Sequence, residues 1–110
     1  MAKYLILHNS MEPAKEYMSK FDHDEIQQSI NEWVVWKNSA NRKVKFEFGT
    51  PLQIIARITK DGVIDSDNKA SGYSIIEADS KDAVIDVLLN HPHLNRDGAT
   101  LDILEMIPMS

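Results

Sequence analysis

The chain has no cysteine among its 110 residues, which excludes a disulfide scaffold, a thiolate zinc centre and a cysteine nucleophile. Glycine is scarce, and its four copies stand isolated at positions 49, 62, 72 and 98. No glycine-rich phosphate loop can be built from them, and no Gly-X-Ser-X-Gly elbow is present. Basic residues are outnumbered, 12 against 17 acidic, for a formal net charge of −5. With no basic stripe to offset that charge, the sequence offers nucleic acid no electrostatic footprint. Long apolar runs are missing as well. The opening Tyr4 to Leu7 run is far too short for a membrane span or the core of a signal peptide, so no membrane partner and a cytoplasmic location are expected.

What remains is an ordinary globular composition, 43% hydrophobic and 26% charged. It predicts a single domain over residues 1–110 with a core that needs neither metal nor disulfide. Tyr4 to His8 reads as a first strand, with Tyr4, Ile6 and His8 on one face and Leu5 and Leu7 on the other. Asp22 and Glu25 have the spacing of a capping box and open a long helix. Its expected apolar stripe is Ile26, Ile30, Trp33 and Val34. Lys45 to Phe48 and Leu52 to Thr59 read as strands, the second turning at Asp61-Gly62. Asp65 to Ser71 is a polar loop; its Asp65, Asp67 and Asn68 lack the later glycine and closing glutamate of a calcium loop. Gly72 to Ala78 follows as a buried strand, then Ser80 as the N-cap of a second helix with Ala83, Val84, Val87 and Leu88 as its stripe. Pro92 ends that helix, and Leu101 to Ile107 is the last strand.

The order predicts an α+β sandwich, with helices on one face of a mainly antiparallel sheet. Leu5 beside Ile6, Ile75 beside Ile76 and Ile103 beside Leu104 make several strands apolar on both faces. Two helices cover one face, so a homodimer with sheets packed face to face is expected for the other. Gly72, entering a central strand, is expected to resist substitution more than Gly62 in its hairpin turn.

The run Gly72 to Ser80, the helix after it, His91-Pro92-His93-Leu94 and the terminal strand resemble the YCII-related proteins, or DGPF group. Lys3 to Leu7 and the Trp33 to Lys37 segment are similar in placement. The resemblance implies a ferredoxin-like fold that pairs into a dimeric α+β barrel. Much of that family has no established activity, and some members are proposed to be enzymes using a His-Asp pair. The Asp-Gly-Pro-Phe turn of the group is replaced here by Asp65-Ser66-Asp67-Asn68, and His8 is the nearest counterpart of the family histidine.

Four histidines limit the chemistry. His91 and His93 flank the rigid Pro92; either an imidazole serves as a general base or anion ligand, or a helix C-terminus is being satisfied. His8 and His93 are the candidate catalytic groups. Trp33, Trp36, Tyr73, His91 and His93 are the candidate ligand-binding residues, as an aromatic wall between the first strand, the long helix and the turn after the second helix. A zinc site needs three or four protein ligands, so no metal and no cofactor are expected. Two functions stay open: a small homodimeric domain that binds a ligand or a protein partner with no chemistry of its own, or a cofactor-independent enzyme whose pocket histidine moves a proton on a small organic substrate.

Overall fold

A computed structural model describes residues 1–109. Its strands are β1 (Ala2–Asn9), β2 (Lys45–Pro51), β3 (Arg57–Thr59), β4 (Gly62–Ile64), β5 (Ala70–Ala78) and β6 (Thr100–Met106), and its helices are α1 (Ala14–Met18), α2 (His23–Ala40) and α3 (Lys81–Leu88). A one-turn 3-10 helix covers Pro92–Asn95. Four strands form an antiparallel sheet in the order β2-β5-β1-β6, and β3 pairs with β4 in a separate hairpin. With the hairpin set aside, this is the ferredoxin-like strand order, and the expected α+β architecture stands. The dimeric barrel does not: the sheet is open, ending at β2 and β6 without closure.

Strand alternation sorts the sheet into two faces. Tyr4, Ile6 and His8 of β1 pair across with Ile76, Ser74 and Gly72 of β5, and all six are buried. Phe46 continues the row on β2. Trp36 and Ala40 of α2 and Val84, Val87 and Leu88 of α3 close over that face, making one core. Leu5, Leu7, Tyr73 and Ile75 lie on the opposite face, half-buried.

Local signals place the helices. The Asp22 carboxylate accepts from the Glu25 amide at 2.8 Å, and the Glu25 carboxylate accepts from the Asp22 amide at 3.2 Å, completing the capping box. Ser80 caps α3 by accepting from Ala83. At the far end of α2 the Asn41 side chain accepts from the Phe46 amide at 2.9 Å and so ties the helix exit to β2.

Four sequence expectations need correction. In α2 the buried positions are Trp36 and Ala40, with Trp33 half-buried, whereas Ile30 and Val34 of the expected stripe are exposed. Trp36 wins because its ring packs on Phe46 at 4.8 Å and its indole N–H reaches Asn90 at 3.2 Å. Leu52 to Thr59 is strand only from Arg57, where β4 supplies a partner. Pro92 does not end α3, which stops at Leu88; it starts the 3-10 turn, where its fixed φ suits a first helical position. The glycines are reversed. Gly72 has ordinary backbone and room, its nearest neighbours lying 3.8 Å from a built Cβ, whereas Gly62 holds φ +133°, which L-residues rarely adopt.

Candidate functional site: a buried histidine–tryptophan cluster

Two distant segments bring three imidazoles together. His8 comes from β1 on its helix-facing side, His91 precedes the 3-10 turn, and His93 lies within it. Their ring centroids are 5.2 Å (His8–His91), 5.3 Å (His8–His93) and 6.4 Å (His91–His93) apart. Two indoles of α2 cover them. Trp33 lies 4.7 Å from His91 and 5.2 Å from His8, and Trp36 lies 4.3 Å from His91. All three histidines are at most 3% exposed.

Each imidazole has a distinct hydrogen-bond role. His93 Nε2 donates to the carbonyl of Asn9 at 2.8 Å, tying the 3-10 turn to the end of β1. His91 Nδ1 accepts from the His93 amide at 3.0 Å. In a neutral ring that bond puts the His91 proton on Nε2, and this buried atom has no hydrogen-bond partner among the described residues. The His91 ring stands edge-on to Trp33, with an interplanar angle of 88°, and is tilted by 55° against Trp36. His8 Nε2 and the Ser74 hydroxyl share a 2.6 Å hydrogen bond across the β1–β5 pair.

Burial sets the charge state. Desolvation first, and then repulsion from His93, lowers the His8 pKa to about 4. For His91, burial and then the positive forms of His8 and His93 lower it to about 3. Burial also lowers His93; the Asn9 carbonyl opposes it, Arg96 reinforces it, and the Thr100 carbonyl opposes it. At neutral pH the cluster is therefore three uncharged rings.

The hydroxyl–imidazole pair of Ser74 and His8 has the geometry in which a base takes a hydroxyl proton. Ser74 is, however, fully buried, and no carboxylate is hydrogen-bonded to any of the three imidazoles among the described residues to orient the base. No group of metal-ligating side chains with usable geometry occurs among the described residues. Two surface concavities lie elsewhere. One of about 110 Å³ is lined by Ser10 to Ala14, Leu52 to Ile54 and the Ser66 to Ser71 loop; another of about 240 Å³ runs between α3 and β6.

The sequence expectation puts His8, Trp33, Trp36, Tyr73, His91 and His93 in one region, and the fold brings five of the six together. Tyr73 is apart from them. It faces the other side of the sheet, where its ring lies over Gly49. Ser74 and Phe48 join the cluster's face without a motif of their own. The signal for both was register: Ser74 pairs with Ile6 and Phe48 with Ser74, which puts each on the His8 face. The Asp65 to Ser71 loop is a set of polar turns, with Asn68 accepting from Ala70 and Ser66 from Asn68.

No helix among the described residues is long and apolar enough to cross a membrane. Comparisons with protein-family models, curated proteins and solved structures return no match. The resemblance to the YCII-related proteins is therefore overturned as a family assignment: no family model matches the chain, and the barrel that family implies is not formed by the open sheet.

Proposed function

We propose that this chain is a binding module with no chemistry of its own, and that it engages another polypeptide through the β3–β4 hairpin. The observation that carries the proposal is the state of that hairpin. All six of its strand residues are exposed, and it displays Ile58, Val63 and Ile64 with Ile55 just before it. A two-stranded hairpin is marginally stable in water by itself, and apolar side chains on it gain from being covered. The molecule is accordingly spread out, 45 × 43 × 20 Å with a radius of gyration of 15.4 Å, where a compact chain of this length gives about 13 Å.

The competing reading, an enzyme that uses His8 with Ser74, is supported by their short hydrogen bond. Against it stands the burial of both groups, which leaves a substrate no contact with either. A polypeptide is favoured over a small-molecule ligand because the hairpin presents its apolar side chains on an exposed two-stranded arm and not in a cavity.

The test replaces Ile55, Ile58, Val63 and Ile64 with serine together. The variant is expected to keep its urea midpoint and helix content while binding much less of the hydrophobic dye ANS. Unchanged dye binding, or a stability loss beyond about 2 kcal/mol, would show that the arm is not a free docking element. Sedimentation of both proteins reports whether a second copy is what covers it.

A further inference from the structure

The two edges of the four-stranded sheet are built differently. At the β2 edge, Lys45 stands at one end and Pro51 at the other, and the register with β5 shifts between Phe48 and Pro51. Lysine, proline and irregularity are the devices that keep an edge from pairing with another strand. At the β6 edge none of them occurs. Thr100–Met106 contains no lysine, arginine, proline or glycine. It pairs with β1 in unbroken register from Asn9–Thr100 to Lys3–Met106.

Apolar surface borders this edge on both sides. Towards the helices, Leu101 and Ile103 form the floor of a groove of about 240 Å³ whose wall includes Ile85, Leu88, Leu89 and Leu94. Leu89 is 72% exposed. On the other side, Leu104 and Met106 are exposed. The strand carries two charges, both negative. Register puts Asp102 on the open face with Leu7, and Glu105 on the helix face with Tyr4.

We propose that the β6 edge is a strand-addition site for an extended segment of another protein, apolar opposite Leu101, Ile103 and Leu104 and basic opposite Asp102 and Glu105. Main-chain hydrogen bonds to the free edge supply affinity, and alternate side chains supply specificity. Charge decides between occupants. A second β6 laid antiparallel about Ile103 sets Asp102 against Leu104 and Glu105 against Leu101, leaving four carboxylates at the seam, two from each copy, without a cation. A basic, apolar segment instead meets both Asp102 and Glu105 with a cation. The site uses none of the hairpin residues and does not depend on their role.

The probe is a fluorescein-labelled nonapeptide with the central sequence Lys-Val-Val-Lys-Val flanked by threonines, read by fluorescence anisotropy against the full chain. Its control has both lysines replaced by glutamate. The lysine peptide is expected to bind at least roughly tenfold tighter than the control, with the gap shrinking as salt screens it. Asp102→Lys should reverse or abolish that preference, and Leu89→Glu should weaken binding while leaving the fold intact by circular dichroism. The four-serine hairpin variant should bind the lysine peptide as the natural chain does, which separates failure of this site from failure of the hairpin. Equal binding of the two peptides, no binding of the lysine peptide, or an unchanged preference in Asp102→Lys overturns the proposal. So does sedimentation showing a self-associated chain that Asp102→Lys converts to monomer, because the edge would then hold a second copy.

Discussion

Acid should unfold this protein through its three buried imidazoles. In the unfolded chain a histidine titrates near 6.5, whereas burial lowers His8 to about 4 and His91 to about 3, with His93 lowered as well. Above that unfolded value all three rings are neutral in both states and their contribution to stability is fully present. As pH falls below it, the unfolded chain takes up protons that the folded one refuses, so stability is lost progressively until each folded pKa is passed. Each such proton is worth about 1.4 kcal/mol per pH unit. Between about pH 6.5 and about pH 5, His8 and His91 therefore cost about 2 kcal/mol each, and His93 adds to the loss, out of a total of about 5–15 for a domain. The window stops above the carboxylate range, which isolates the histidines. Urea unfolding at about pH 7.5 and about pH 5 measures the difference. His91→Phe should flatten the pH dependence by roughly one proton while costing about 1 kcal/mol at neutral pH, because the His93 amide loses its acceptor. A stability unchanged over this window refutes the reasoning. So does ring titration of His8 or His91 near the unfolded value, followed by NMR.

Other expected outcomes follow from packing. Gly49→Ala should cost about 1–3 kcal/mol because its methyl group runs into the Tyr73 ring, and urea midpoints should show Gly72→Ala within about 1 kcal/mol of the natural chain. Ile76→Ala should cost about 2–5 kcal/mol, whereas Ile58→Ala, on the exposed hairpin, should stay within about 0.5. Asp22→Ala should remove about 1 kcal/mol and fray the start of α2, visible as faster amide exchange at Glu25 and Ile26.

Local chemistry was the legible part of the sequence. Asp22 with Glu25 and Ser80 announce helix starts because a cap is satisfied within three residues. The alternation of Tyr4, Ile6 and His8 announces a face because a strand has a period of two. Long-range competition was not legible. The hydrophobic spacing of α2 favours Ile30 and Val34, yet the partners that select its buried side, Phe46 and Asn90, lie in distant segments. The site residues were found by their shared direction, but the degree of their burial was not. Whether His91 ends a helix in solvent or sits under two indoles depends on the 3-10 turn at Pro92, and that turn is held by His93 on the Asn9 carbonyl, 84 residues away. Register separated Tyr73 from the cluster for the same reason: its face follows from pairing with Leu7.

The position of β1 in the sheet has a consequence for the order of assembly. This strand precedes the other strands of the sheet in the chain, yet its neighbours are β5 and β6, with Ala2 opposite Ala78 and Lys3 opposite Met106. Such pairings close long loops before they return any stabilisation, which slows folding. During synthesis Tyr4, Ile6 and His8 must wait for Gly72 to Ala78 before one side of the strand is paired, and for Thr100–Met106 before the other is. Throughout that interval an apolar strand with an open edge is exposed to its surroundings, the kind of species on which aggregation and chaperone capture act.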